Sequence, residues 1–286
     1  MTDASTSPSA SPSVAYAATE AAPPAGGSYA APVNLAGLVV RSAPQPVPRL
    51  PERTEELPRT PLAVRDLLRP ALLATAEAAV AEAGLSPEEV RNMGCVTASN
   101  GATAATGTYI AQVLAGPGPR WLTPECFLHY SPHTLTGELC IALGLDGCAV
   151  TLTGASAGVD ALGYAALMVR TGRCRSVLVA AAHWPQPATA DDESVPLLTT
   201  AAAILGSGGG AVNGRVSVTG WRPGGSHPAV RRDDAAGTTG EASGGRGTDV
   251  TAPFTALAHR RDSHDARGTE LVCGGSRLTA VAGAGA

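Results

Sequence analysis

A serine flanked by glycines, in the run Gly154-Ala155-Ser156-Ala157-Gly158, is the strongest candidate for chemistry in this chain. In a G-x-S-x-G pattern the serine occupies a sharp turn between a strand and a helix, so that its hydroxyl points into a cleft. The unpaired N–H groups at the start of the helix lie beside it and can stabilise an oxyanion. The pattern therefore predicts acyl transfer or ester hydrolysis with Ser156 as the nucleophile.

A serine nucleophile of the α/β-hydrolase type also needs an acid and then a histidine later in the chain. The residues in that order are Asp233, Asp234 or Asp249 as the acid, and His259 or His264 as the base. They lie in low-complexity sequence, where such pairs occur by chance, and no His-Gly-Gly segment precedes the serine. The alternative role of Ser156 is structural, since a serine at a helix start caps free N–H groups.

The elements that must position this serine follow from the residue pattern. The stretch 144–163 predicts, in this order, a short β-branched strand, a tight glycine turn and the opening of an amphipathic helix. Residues 161–172 continue this helix to Gly172, which is predicted to end it as a C-cap. Residues 173–182 predict a buried parallel strand. The order strand, turn, helix, strand is typical of an α/β fold.

Other segments have the same character. Residues 35–40 predict a first strand, and residues 62–83 have apolar positions at helical spacing, with a break or a new helix start at Pro70. Residues 253–260 predict a short helix and residues 270–273 a weak strand. We expect the chain to end in a Gly/Ala tail.

The chain resembles the N-terminal half of the β-ketoacyl synthases, collinearly from about Leu35 to Trp221. In that family a similar strand–turn–helix unit carries the nucleophile. The segments similar to the family's motifs are residues 83–90, 93–101, 122–124, 133–135, 137–147, 161–172, 173–182, 200–205 and 215–220. The resemblance implies a thiolase-like α/β fold, with a mixed sheet and helices on both faces.

The family's cysteine nucleophile falls one residue before Ser156, where this chain has Ala155. The family also has two catalytic histidines in Gly-rich turns of its second half, and none of the six histidines here has a His-Gly-Thr setting. Condensation needs a nucleophile that forms a thioester and donors that stabilise the developing charge. The resemblance therefore implies a chain that does not condense acyl groups alone.

Within the family, the chain is most similar to chain-length-factor-like members, which lack the cysteine. The resemblance implies a non-condensing subunit of polyketide or fatty-acid-type biosynthesis that shapes the acyl tunnel of a partner. The implied partners are an active ketosynthase subunit, in a heterodimer, and an acyl carrier protein. Two alternatives stay open: an acyltransferase or serine hydrolase that uses Ser156, and a truncated, inactive ketosynthase remnant. His183, which follows a predicted strand, is a further candidate for lining the cavity.

Composition excludes several other classes of function. The chain has no lysine, so all 20 basic residues are arginine, which excludes a P-loop lysine, a Schiff-base lysine and pyridoxal phosphate attachment. A net charge of −4 gives no reason to expect nucleic-acid binding. The carboxylates of residues 191–193 are adjacent on a loop and diverge, so we expect no metal site, and we expect no cofactor.

Three regions are expected along the chain: a disordered low-complexity leader at residues 1–33, a ketosynthase-like domain at 34–222, and a Gly-rich linker with a poorly structured remnant of the second half at 223–286. No apolar run reaches the ~18 residues of a membrane span, and no signal-peptide pattern begins the chain. The six cysteines are scattered without a C-x-x-C pair, which favours reduced residues in a cytoplasmic protein.

Overall fold

The computed structural model describes residues 32–46, 53–59, 68–185, 195–207, 212, 214, 216–223, 249–262, 268–273 and 275–282. The described strands are β1 Val33–Pro44, β2 Gly94–Asn100, β3 Ala149–Thr153, β4 Ser176–His183, β5 Leu197–Ser207, β6 Val216–Arg222, β7 Thr269–Cys273 and β8 Ser276–Ala282. The described α-helices are α1 Leu68–Ala83, α2 Pro87–Arg91, α3 Ala104–Ala115, α4 Pro124–Tyr130, α5 His133–Leu143, α6 Ala157–Arg170 and α7 Ala252–Asp262.

The described strands form one mixed sheet in the order β3-β2-β4-β5-β1-β6-β8-β7. The first three strands of this order are parallel, with Cys95 of β2 opposite Ala149 of β3 and Leu178 of β4. The other neighbouring pairs are antiparallel. The strand predicted at residues 173–182 is therefore parallel to β2 on one side and antiparallel to β5 on the other.

Helices cover both faces of the sheet. Successive residues of a strand point to opposite faces, so alternate residues of one strand pack against different helices. In β4, Val177 and Val179 belong to the apolar cluster that includes α6 and α7. Leu178 and Ala180 belong to the cluster on the other face, which includes α1 and α5. The fold class predicted from the sequence is confirmed: an α/β fold with a mixed sheet and helices on both faces.

The strand β1, in the middle of the sheet, bends where α1 approaches it. Its register with β5 shifts between Ala36 and Val39, and Gly37 between them has a φ of +58°. A Cβ atom at Gly37 would lie 2.1 Å from the carbonyl oxygen of Ala79 in α1. Only a residue without a side chain allows both the bulge and the close approach of the helix.

The end of the chain differs from the expectation. The sequence predicts no element at residues 276–282, which form β8 between β6 and β7. Ser276, Leu278 and Ala280 are buried and alternate with residues that are exposed, which is the period of a half-buried strand. Two of these three side chains are small, so the hydrophobic signal in the sequence was weak.

The helix predicted at residues 253–260 and the strand predicted at 270–273 correspond to α7 and β7. The described part of the expected remnant is therefore built into the sheet. Residues 1–31 of the expected leader and 224–248 of the expected linker lie outside the described residues. Within the described ranges, no helix has the length and hydrophobicity that crossing a bilayer requires. All six cysteines are free thiols.

Candidate functional site

The predicted strand–turn–helix unit is present at residues 149–170. After β3 ends, Gly154 turns the chain with a φ of +105°, and α6 begins after two further residues. The N–H of Gly154 donates to the carbonyl of Ser99 in β2 at 3.3 Å, and the N–H of Asp160 donates to the carbonyl of Ser156 at 3.0 Å. The turn is therefore fixed to β2 and continues directly into the first helical turn.

Ala155 and Ser156 present different groups on this turn. Ala155 is exposed, whereas Ser156 is half-buried at the N-cap position of α6. Ser156 has a φ of −89° and a ψ of −3°, and its side chain makes no capping hydrogen bond. The capping role expected for this hydroxyl as a structural alternative is therefore wrong.

The turn lies at the carboxyl ends of the three parallel strands, where open α/β sheets place their ligands. Asn100 at the end of β2 is opposite His183 at the end of β4, and Ser99 is opposite Thr153. His183 therefore lies at the same end of the parallel strands as Ser156. Its Nδ1 atom is buried and has no hydrogen-bond partner among the described residues.

Cys273, at the end of β7, contacts the turn through its thiol. The Sγ atom donates a hydrogen bond to the carbonyl oxygen of Ala155 at 3.0 Å. Burial raises the pKa of this thiol, and the carboxylates of Asp160 and Asp249 raise it further. The thiol is therefore protonated at neutral pH, which suits a hydrogen-bond donor and not a nucleophile.

Sequence reasoning missed Cys273. Its segment predicts only a weak strand, and β3 and β7 lie at opposite edges of the sheet. The contact arises because α6 packs against both of these strands. No local signal in the sequence indicates such a crossing, so the residue could be found only from the tertiary structure.

The two carboxylates near Cys273 are held by hydrogen bonds. Trp221 Nε1 donates to Asp160 Oδ1 at 3.1 Å. The backbone N–H and the hydroxyl of Thr251 donate to Asp249 Oδ1 at 2.8 and 2.6 Å. Among the described residues, Asp249 is thus oriented by Thr251 of its own turn and not by a histidine. Within the described part of the chain, no group of three or more His, Cys, Asp or Glu side chains could hold a metal ion.

The predicted hydrolase triad is not assembled around Ser156 in the described part of the chain. His259 is exposed on α7, and no hydrogen bond joins it to Ser156 or Asp249 among the described residues. The other candidates, Asp233, Asp234 and His264, lie outside the described residues. Ser156 as a nucleophile stays a prediction.

A chain of hydroxyl groups holds β3 in place beneath α5. Thr136 of α5 makes hydrogen bonds with Thr97 of β2, at 2.5 Å between the Oγ1 atoms, and with Thr151 of β3. Thr97 and Thr136 are buried. Because a buried hydroxyl needs a partner, this network fixes one position of the helix over the two strands. It thereby positions the turn that follows β3.

Large apolar side chains are exposed on α4 and α5. Phe127, Leu128 and Tyr130 of α4 expose 62%, 64% and 53% of their surface, and Ile141 of α5 exposes 84%. We call these four residues the α4–α5 patch. The helix α5 also packs against the edge strand β3. Exposed apolar surface of this kind marks interaction sites in many proteins.

Comparisons with known proteins agree with the resemblance. Residues 57–190 match the family described as Beta-ketoacyl synthase, N-terminal domain. Over 126 residues the chain is 34% identical to a curated protein of Streptomyces halstedii named as a polyketide beta-ketoacyl synthase. That alignment covers 40% of this chain and 29% of the relative, so the chain matches less than a third of its length. The resemblance to β-ketoacyl synthases predicted from the sequence is confirmed.

Two solved structures share the fold. A ketosynthase in complex with its chain length factor from Xenorhabdus doucetiae matches with a TM-score of 0.52 at 12% identity, over 87% of this chain and 99% of that chain. A type II polyketide acyl-carrier protein in complex with its ketosynthase matches with a TM-score of 0.51 at 17% identity, over 67% and 62%. The architecture is therefore the thiolase-like fold of the ketosynthases.

Proposed function

We propose that this chain, whose residues 57–190 match the β-ketoacyl synthase N-terminal domain, is a non-condensing subunit of the chain-length-factor type. It would pair with an active ketosynthase and shape the acyl tunnel of that partner in polyketide or fatty-acid-type biosynthesis. The observation that carries the proposal is Ala155. The turn that would present a nucleophile presents a methyl group instead.

The chemistry of the turn supports a role without condensation. A ketosynthase must first accept an acyl group as a thioester on a thiolate, and a methyl group cannot form that bond. The nearest thiol found at the turn, Cys273, is protonated and donates to a backbone carbonyl. The chain therefore has the strand, turn and helix that surround the nucleophile in a ketosynthase, but it has no thiolate at this turn.

The edges of the sheet support a partner. β3 lies at one edge and, among the described strands, pairs with β2 alone, so its outer backbone groups are available to another chain. Its five residues, 149–153, carry no charge. The opposite edge strand, β7, instead carries Glu270, which forms an ion pair with Arg277 at 3.6 Å. Charges on an edge strand oppose pairing with another chain, so β3 is the better candidate for an interface.

The solved structures add support of a coarser kind. One of them is a ketosynthase bound to its chain length factor, and another is a ketosynthase bound to its acyl-carrier protein. Both complexes were observed for those proteins and not for this chain. For this chain they make a ketosynthase the first partner to test and an acyl carrier protein the second.

The proposal is tested by a condensation assay on the chain alone. With an acyl thioester and a malonyl thioester on an acyl carrier protein, we expect the wild type and Ala155→Cys to form no β-ketoacyl product by mass spectrometry. The variant regains a thiol, but the two histidines of the family have no counterpart in this sequence. Ala157→Cys, which places a thiol in the buried first turn of α6, is the control for stray acylation. Appreciable turnover by Ala155→Cys alone would contradict the proposal.

A second function, acyl transfer or hydrolysis by Ser156, is favoured by one observation. The Ser156 hydroxyl makes no capping hydrogen bond, so the helix start does not occupy it. Intact-mass spectrometry after incubation with acyl-CoA distinguishes the two functions. We expect no acyl adduct on the wild type. An adduct that Ser156→Ala loses and Cys273→Ser keeps would move the protein into the acyltransferase or hydrolase class.

A further inference from the structure

Two cysteines meet at the end of the sheet opposite to the turn. Cys148 directly precedes β3, and Cys174 lies two residues before β4. Their Sγ atoms are 2.9 Å apart, although the two residues are 26 positions apart in the chain. A disulfide needs an S–S distance of about 2.05 Å, so only a small movement separates these thiols from bond formation.

The strand between β3 and β4 explains how the two thiols can meet. β2 separates these strands in the sheet, and its first residue is Gly94. A Cβ atom at Gly94 would lie 2.9 Å from the Sγ of Cys174 and 3.3 Å from the Sγ of Cys148. The N–H of Cys95 also donates to the carbonyl of Cys148 at 2.8 Å, which holds Cys148 against β2. The missing side chain at Gly94 therefore leaves the space in which the thiols approach.

We propose that Cys148 and Cys174 are an oxidisable pair, which a small disulfide such as oxidised glutathione converts into an intramolecular disulfide. The Cys148 thiolate attacks one sulfur of glutathione disulfide, forms a mixed disulfide and releases one glutathione thiolate, which takes up a proton. Cys174 then loses its proton, and its thiolate attacks the Sγ of Cys148 and releases the second glutathione thiolate, which takes up a proton. Two cysteine thiols lose two electrons, and one glutathione disulfide gains them.

The different exposure of the two thiols determines which of them reacts first with glutathione disulfide. Cys148 is exposed and can meet the oxidant, whereas Cys174 is 7% exposed. Burial, together with the neighbouring thiol of Cys148, raises the pKa of Cys174 to about 11. Cys174 is therefore protonated at neutral pH and serves as the second, resolving thiol.

The disulfide would change the edge strand. It would join the residues that precede β3 and β4 across β2, and it would enclose the turn and all of α6 in one covalent loop. The start of β3 would then be tied to a strand in the interior of the sheet and could not separate from it.

The test uses the full chain and defined ratios of oxidised to reduced glutathione. We expect the wild type to lose two hydrogen atoms in intact mass, and peptide mapping to link Cys148 with Cys174. Cys174→Ser should instead keep one glutathione on Cys148, and Cys148→Ser should form no cross-link. Cys140→Ser, which removes a half-buried thiol of α5, is the control and should still form the disulfide.

Two results would overturn the proposal: a wild type that keeps glutathione on Cys148 without closing the disulfide, or a cross-link between another pair of cysteines. Mapping of the wild type gives this answer even where a serine variant fails to fold. As a second measurement, oxidation should raise the Tm of the wild type by about 5–10 °C, because the cross-link restricts the unfolded chain. Cys148→Ser should show no such rise.

Discussion

The side chains at the turn between β3 and α6 differ in what each could do to a thioester carbonyl. Ala155 has no reactive atom, and the hydroxyl of Ser156 makes no hydrogen bond with His259 or Asp249 among the described residues. Cys273 has a reactive atom, but its proton is retained by burial and by two nearby carboxylates. The three residues together therefore favour the proposed role of the turn, which is to bind or support and not to react.

The protonation of Cys273 gives a prediction at this scale. Alkylation by iodoacetamide should be slow at neutral pH and should accelerate as the pH rises past the usual pKa of a thiol, because only the thiolate reacts. Asp160→Asn and Asp249→Asn each remove a negative charge that raises the pKa of Cys273, so each should accelerate alkylation at a fixed pH near 8. Peptide mass spectrometry measures the modified fraction at Cys273 over time.

A matched control separates the charge from the substitution itself. Asp262→Asn alters a carboxylate that pairs with Arg261 at the end of α7 and does not act on Cys273. Its alkylation rate should equal that of the wild type. Equal rates in all four proteins would contradict the electrostatic origin of the raised pKa.

Among the elements, α6 contributes most to the arrangement of the site. It follows the turn directly and packs against strands from β3 at one edge of the sheet to β7 at the other. Two glycines on it allow close approach. A Cβ atom at Gly158 would lie 2.0 Å from the carbonyl oxygen of Val250, and one at Gly163 would lie 2.0 Å from the ring of Trp221. The first turn of α6 therefore packs closely against the backbone of Val250, next to the turn that holds Ala155 and Ser156.

This packing predicts the effect of one added methyl group. Gly163→Ala should lower the free energy of unfolding by about 1–3 kcal/mol, because the methyl overlaps the Trp221 ring and the core must shift. Gly137→Ala in α5 is the control, since a Cβ atom there meets nothing within 4 Å. It should raise stability by about 0.5–1 kcal/mol, as alanine replaces glycine in a helix. Urea denaturation measures both, and equal changes would contradict the packing argument.

Elements with a strong local signal could be predicted from the sequence, and those without one could not. The turn at Gly154 and the helix after it were predicted, because glycine and the apolar spacing act locally. The helix α3 had no such signal, since Gly107 interrupts it and only Tyr109 and Val113 are buried. At the site, Ala155 and Ser156 were found for the same local reason. Cys273 was not, because its contact depends on how α6 crosses the sheet.

For the whole molecule, the size of a stable interface decides which surfaces must act together. A specific complex buries about 800 Å² on each partner, or roughly 20–30 residues. The five residues of β3 cannot supply that area alone. The α4–α5 patch has the apolar side chains that would complete it, and α5 connects the patch to β3. The two features are therefore parts of one proposed surface.

This surface predicts how an added charge would affect the proposed heterodimer. Phe127→Glu should raise the Kd for the proposed ketosynthase partner by tenfold or more, because a buried unpaired carboxylate is costly at an interface. Val272→Glu is the control, since Val272 is 49% exposed on β7 at the other edge of the sheet. It should change the Kd less than twofold. Titration calorimetry and light scattering measure both, and equal losses would contradict the assignment of the interface.

The place of β1 in the sheet has a consequence for how the chain is made. β1 comes first among the described elements, yet its neighbours are β5 and β6, and the side chain of Asn34 donates to the carbonyl of Val212, 178 positions later. During translation β1 leaves the ribosome long before either neighbour exists. The parallel strands β2, β3 and β4 are closer in sequence and can pair first, because short loops close sooner. We therefore expect the growing chain to hold an apolar, unpaired strand from the synthesis of β1 until that of β5, and to need protection there during this interval.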